Sequence, residues 1–204
     1  MIDSAKLLEI SAEWGKEIRE QSESIVFEGF DSPKYDKSAY EEILEQYVEF
    51  EEKVPLLTTM VVIYGDIALA YLNVQDVKNA FIYACAYLEL NKNDDKRSRS
   101  AYDILSNISL ASGNKVKGVE FYKLAHPQET LESSAVLQHL TKQMAEEKEE
   151  EISVKVPQNL SDYEKPKTFF LLQDKEEFAI RSTMLTMNLE RDEAIKYLEK
   201  MKEN

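Results

Sequence analysis

Between Tyr64 and Ala86 the chain reads YGDIALAYLNVQDVKNAFIYACA, two runs of helix-face spacing separated by the polar break NVQD. Tyr64, Ile67, Ala68 and Tyr71 fall three and four apart, and so do Val77, Ala80, Ala84 and Tyr87. That is the period of α-helices that each bury one face. The plan recurs 38 residues on, from Tyr102 to Ala125, with Tyr102 for Tyr64, Leu105 for Ile67 and Gly118 for Ala80. It returns a third time between Phe178 and Met201. A short helical hairpin cannot bury its apolar side alone, so a recurring one predicts hairpins stacked on one another. The fold class expected is all-α, and a stacked scaffold points to binding rather than catalysis.

Composition supports helix and narrows the partners. Only five Gly and five Pro occur in 204 residues, and the length is enough for a core that needs neither disulfide nor metal. A net charge of −14 opposes attachment to nucleic acid or to an anionic membrane, both of which require clustered Lys and Arg. The charge is uneven: residues 1–53 carry 15 Asp and Glu against 6 Lys and Arg, a net of −9. This is the pattern of a solvated helical face, and it also suits a basic partner. The single Cys85, between Ala84 and Ala86, reads as a core residue of a protein in a reducing compartment. Gly65 and Asp66 interrupt the best apolar run, Leu56–Leu72, so no membrane span is expected. The start MIDSAKLLEI has no basic region or hydrophobic signal core, and a cytoplasmic location is expected.

Along the chain, four parts are distinguished. Residues 1–53 form an acidic helical hairpin, a cap or atypical repeat. Its first helix runs from a cap at Asp3-Ser4 to about Ser24, with Leu7, Leu8, Ile10, Trp14 and Ile18 inward. The loop FEGFDSPKY follows, then a helix from about Ser38 to Lys53 with Tyr40, Ile43, Leu44, Tyr47 and Phe50 along its stripe. Residues 54–151 hold the clear repeats and one extra helix. The polar run NKNDDKRSRS is read as a long connection ending near Arg99, and Leu131–Glu151 as one long helix with Leu131, Ala135, Leu137, Leu140 and Met144 inward. Residues 152–168 break the helical pattern, with an extended strip at Ile152, Val154 and Val156 and a loop between Pro157 and Pro166. Residues 169–204 close the chain as a hairpin, Asp174–Met187 and Arg191–Lys202.

With the pairs aligned, the chain resembles the tetratricopeptide repeat family. The first repeat supplies Tyr64, Ile67, Ala68, Tyr71 and Ala80, with Gln75 where glycine is common and Tyr87 where alanine is expected. The second supplies Tyr102, Leu105, Ser106, Gly113, Gly118, Tyr122 and Ala125, and the C-terminal one Phe178, Leu185, Ala194 and Leu198. The plan does not fit residues 1–53, because aligning Tyr47 places Pro33 inside a helix. The resemblance implies a right-handed stack of antiparallel helical hairpins, an α-solenoid with an N-terminal hairpin and a short irregular insertion. It also implies a groove lined by the first helix of each pair. The groove positions would be Val62, Gly65, Leu69, Leu72 and Asn73, then Asp103, Asn107 and Leu110, then Ala179, Thr183 and Met187. Family members that clamp a C-terminal carboxylate use Lys, Arg and Asn there; with Gly65 and Leu69 in their place, that activity is not carried over.

Chemistry finds little footing. His126 and His139 lie 13 residues apart without a second His or Cys beside either, so no metal ligand set is expected. His126 precedes Pro127 at a helix end, where the dipole accounts for it. No glycine-rich phosphate loop or nucleophile elbow occurs. The catalytic, cofactor and metal sets are therefore empty. The expected function is a non-enzymatic adaptor or chaperone that holds a peptide segment of a protein partner. The family's small, acidic bacterial chaperones of secreted translocator proteins are a specific variant. The alternatives are a peptide-sensing regulator and a structural subunit of a larger assembly, with a homodimer left open.

Overall fold

The computed structural model describes residues 3–146, 163–171 and 174–202, and among these every regular element is an α-helix. In chain order they are α1 (Ser4–Ser24), α2 (Lys37–Lys53), α3 (Leu57–Asn73), α4 (Val77–Leu90), α5 (Asp95–Ala111), α6 (Lys115–Ala125), α7 (Ala135–Glu146), α8 (Lys167–Leu171), α9 (Lys175–Met187) and α10 (Arg191–Lys202). Short acidic or amide side chains start six of them. Asp3, Asp36, Asp76, Asp94, Asn114 and Asp174 each accept hydrogen bonds from N–H groups of the following turn. A carboxylate there satisfies an orphan donor and meets the positive end of the helix dipole. Part of the negative charge is thus committed to helix starts.

Consecutive helices from α1 to α7 pack on one another, and the odd-numbered ones also touch across the hairpins, α1 on α3 and α3 on α5. The main core lies between them, with Phe50, Tyr64, Ile67, Leu105 and Ile108 excluded from solvent. Small residues set the approach. A methyl on Gly65 would lie 3.0 Å from the Tyr87 ring, and one on Gly118 would lie 2.5 Å from Leu110 Cδ2. Ser106 Oγ donates to the Gly118 carbonyl at 2.8 Å, tying α5 to α6 where the glycine lets them close.

The C-terminal hairpin does not extend this series beyond α7. α9 pairs with α10 and lies against α2 and α1, with its own small core of Ile180, Met184 and Ala194. Between these parts, Tyr163 to Leu171 returns along α4 and α2, burying Tyr163 and Phe169. The described part of the 152–168 segment therefore packs, and Lys167 and Thr168 already belong to a helix. The strip Ile152–Val156 lies outside the described residues.

Other boundaries shift for local reasons. α5 begins at Asp95, not Arg99, because the Asp94 carboxylate accepts from Arg97 N–H at 3.0 Å and turns most of the polar run into helix. α7 begins at Ala135, not Leu131, because Ser134 Oγ takes the Leu137 N–H. Leu131, expected inward, is 51 % exposed; Ala135 and Met144 are exposed as well, while Leu137 and Leu140 are buried. On α1 the inward places beside Leu7 and Ile18 fall to Ser11 and Gly15, and Leu8 turns outward.

Candidate functional site

The odd-numbered helices present one exposed ribbon. On α3 the residues Thr58, Val62, Asp66, Leu69 and Asn73 recur at spacings of three and four, and α1 lies alongside with Leu8, Ala12, Lys16 and Arg19. Between them runs a crevice of about 270 Å³, floored by Ser11, Gly15 and Ile63. Gly15 is what lets it form, since a methyl there would lie 3.2 Å from Ile63 Cδ1. Arg19 closes the crevice by pairing with Asp66. Burial pushes the Asp66 carboxyl above its ordinary range, against the pull of Arg19. Leu8 is 49 % and Leu69 38 % exposed, so apolar surface stands open on both helices.

The residues expected to line a groove divide in the structure. Val62, Leu69 and Asn73 on α3 and Asn107 on α5 sit at least partly open. Gly65 is covered by the Tyr87 ring and Leu72 is buried. Asp103 accepts from or pairs with His126 Nε2 at 3.1 Å, and Leu110 packs over Gly118, so both turn toward α6. Ala179, Thr183 and Met187 lie on α9, against α1 and α2 rather than α5. Thr183 is buried with its hydroxyl on the Ala179 carbonyl, Ala179 is half-buried, and Met187 is 45 % exposed.

A larger cleft has a volume of about 790 Å³. The ends of α4 and α6, the start of α5 and the returning residues Tyr163 and Lys165 form its walls. Leu88, Tyr102, Leu124 and Pro127 give it apolar surface, and Lys92, Arg99 and Lys165 give it positive charge. Cys85 lies at its buried end, and burial pushes the thiol up to about 12, the condition of an unreactive core cysteine.

Beside this cleft lies a buried polar network. Glu51, 4 % exposed, receives Tyr83 Oη–H at 2.5 Å on one carboxylate oxygen and Thr168 Oγ1–H on the other. With the Thr168 proton so committed, Tyr64 Oη donates to Thr168 at 3.0 Å. Arg181, 3 % exposed, donates to the Glu51 carbonyl at 2.6 Å and to Glu177 at 2.7 Å. Arg191 grips the same Glu177 with two bonds of 2.7 Å. Burial pushes Glu51 above the usual carboxylate range despite these donors. Glu177 goes the other way: Arg191 first, then Arg181, hold its carboxyl at about 2. Thr168 and Arg181 stand more than a hundred residues from Glu51 in the chain, so no local motif announces their meeting. One signal was present: Glu51 falls four residues after Tyr47, on the face that Tyr40, Ile43 and Tyr47 bury.

These groups arrange structure more readily than chemistry. Glu51 and Thr168 are buried, and Tyr83 is half-buried. His126 stacks on Tyr122 at 4.4 Å between centroids and faces Asp103 and Glu129; His139 is exposed. Among the described residues no group of three His, Cys, Asp or Glu side chains is placed to hold a metal ion, and no helix is long and apolar enough to cross a membrane. No known protein family, no curated protein and no solved structure matches this chain.

Proposed function

We propose that the chain is a non-enzymatic adaptor or chaperone, a stack of antiparallel helical hairpins of the tetratricopeptide kind. Its exposed odd-helix ribbon holds a peptide segment of a protein partner. The observation that carries this reading is the ribbon itself: helices α1 and α3 side by side, with Leu8 and Leu69 exposed, Val62 partly so, and the amides of Asn73 and Asn107 on α3 and α5. Apolar anchors at helical spacing beside amide groups suit an extended or helical segment. Thr59 Oγ1 adds a buried hydroxyl that lines the crevice with no partner among the described residues, a group that a bound chain would satisfy. The hairpin-stack reading is supported by the equivalent ends of α3–α4 and α5–α6, whose turns and caps repeat 38 residues apart. A buried, unreactive Cys85 suits a cytoplasmic protein.

The test is affinity capture from the native cell extract, followed by titration of the captured partner against purified variants. Leu8→Asp with Leu69→Asp places charge on the ribbon without touching the core. Loss of a stoichiometric partner in that double variant supports the reading, provided its helical content and unfolding midpoint match the parent. Retention of the partner by the double variant removes the ribbon from consideration.

A further inference from the structure

The segment Tyr163–Leu171 lies against α2, α3 and α4 as a ligand lies on a receptor. α4 and α2 supply the acceptors Glu89 and Glu51, and the Tyr64 hydroxyl of α3 donates to Thr168 at 3.0 Å. Tyr163 Oη donates to Glu89 at 2.7 Å, Lys165 Nζ to the same carboxylate at 2.8 Å, and Thr168 Oγ1 to Glu51. Burial alone would raise Glu89, yet the bonds from Lys165 and Tyr163 bring it below the usual range. Phe169, 8 % exposed, is the apolar anchor; it joins the main core, with Lys165 Nζ lying 4.8 Å over its ring. In sequence the segment carries Lys165 and Lys167 against Glu164, a net positive stretch in a chain of net charge −14. Polar partners beside a site for an apolar anchor are features by which peptide-binding surfaces recognise a segment.

We propose that the α2–α4 surface is a second peptide-docking site, occupied in this chain by its own residues 163–171 as a tethered ligand. The occupant it selects in trans is a basic segment with a tyrosine, a lysine two residues later, and a Thr-Phe pair after that. This site shares no lining residue with the crevice between α1 and α3 and does not depend on the function proposed for it. A tethered ligand acts at an effective concentration in the millimolar range, so a free segment competes only when the tether's contacts are weakened.

Cys85 gives the site its own reporter, since it is the chain's only cysteine, is 2 % exposed and shares a cleft wall with Tyr163 and Lys165. Three forms of the full chain would be compared: the parent, Tyr163→Phe with Lys165→Ala, and that pair with Glu89→Gln added. The probe is the synthetic peptide YEKPKTFFL, labelled for fluorescence anisotropy, and the thiol reagent is an aromatic disulfide. The double variant is expected to expose Cys85 at least ~10-fold faster than the parent and to bind the peptide at least ~10-fold more tightly, as removal of tethered competition requires. Added peptide is expected to slow the thiol reaction again, and Glu89→Gln to weaken its binding. Denaturant midpoints measured alongside separate release of the segment from loss of the fold. Cys85 reacting in every form only at the rate of global unfolding would overturn the proposal. So would faster thiol reaction with no peptide binding, which makes the segment a structural brace, or binding indifferent to Glu89→Gln.

Discussion

Gln75 and Gly113 occupy the same left-handed backbone position, with φ of +66° and +80°, at the ends of two helices 38 residues apart. The hydrogen bonds around them correspond one for one. Gln75 N–H meets the Leu72 carbonyl at 2.9 Å and Asp76 N–H that of Tyr71 at 2.9 Å; Gly113 N–H meets Leu110 at 3.0 Å and Asn114 N–H meets Ser109 at 2.8 Å. The next residue then caps the following helix, Asp76 onto Asn79 and Asn114 onto Lys117. A glycine adopts this conformation without the Cβ clash that a glutamine suffers. Gln75→Gly is therefore expected to stabilise the protein by about 1 kcal/mol, and Gly113→Ala to destabilise it by a similar amount. Urea denaturation of both variants checks the pair, and opposite signs are required.

Gly65 and Gly118 are needed for closeness rather than for backbone freedom. The neighbour of Gly65 is the flat Tyr87 ring, whose atoms would lie 3.0 to 3.3 Å from an added methyl, and overpacking of this kind costs about 1–3 kcal/mol. Gly118 faces Leu110 side-chain atoms at 2.5 and 2.7 Å from the place its own methyl would take. Gly118→Ala should lose stability by itself and regain part of it when combined with Leu110→Ala, in a double-mutant cycle measured by thermal unfolding. Additive losses would place the contact elsewhere.

The attachment of the C-terminal hairpin depends on pH through Glu177. Its folded pKa, about 2, lies below the ordinary 4.5. The stability it contributes is full above pH 4.5 and is lost as the pH falls toward about 2. Glu51 has the opposite sign: its raised pKa favours the protonated form, so its contribution declines as the pH rises through the folded value. Trp14 packs against Phe50 with ring centroids 5.0 Å apart and lines a crevice with Met184 and Leu185 of α9, so its fluorescence reports the junction. In an acid titration, Glu177→Gln should abolish the transition between pH 4.5 and about 2 that the parent shows. Because Arg181 is almost wholly buried, the same substitution should also cost about 3 kcal/mol at neutral pH.

Within the buried network, the order of donors sets an order of losses. Tyr64→Phe removes one hydroxyl from a chain that still satisfies Glu51, at about 1 kcal/mol. Thr168→Val strands both the Tyr64 hydroxyl and a Glu51 oxygen, and should cost about 2–3 kcal/mol. Equal losses in guanidinium unfolding would show that Thr168 does not join the two helices.

What the sequence revealed and what it concealed divide along one physical line. Tyr64, Ile67, Ala68 and Tyr71 announce α3 because their spacing is a local property of the helix. Caps such as Asp36 and Asp174 are equally local. Leu8 escaped because α1 lies on α3 through Ser11 and Gly15, small residues that periodicity reads as neutral. Of the residues that the register assigns to a groove, Leu69 and Asn107 are exposed and Val62, Asn73, Asp103 and Leu110 partly so, while the contacts of Asp103 with His126 and of Leu110 with Gly118 are ones that spacing cannot supply. Thr168 and Arg181 were hidden altogether and Glu51 showed only by its place on the buried face of α2, since their meeting depends on where a distant segment returns. The terminal hairpin was visible as a hairpin, but its place against α1 and α2 is a fact of tertiary packing alone.

That placement carries a consequence for how the molecule comes into being. During synthesis α1 and α2 emerge long before α9, so the side of the N-terminal hairpin that α9 covers stays bare until nearly all of the described chain has been made. Helices α3 to α6 meet one another in the order of translation, whereas Tyr64 must wait for Thr168 and Arg181 must reach back across 130 residues to find the Glu51 carbonyl. Contacts of such long range are slow to form because loop closure must precede them. The nascent protein therefore passes through a stage in which its middle is built and its first hairpin is still waiting for its lid.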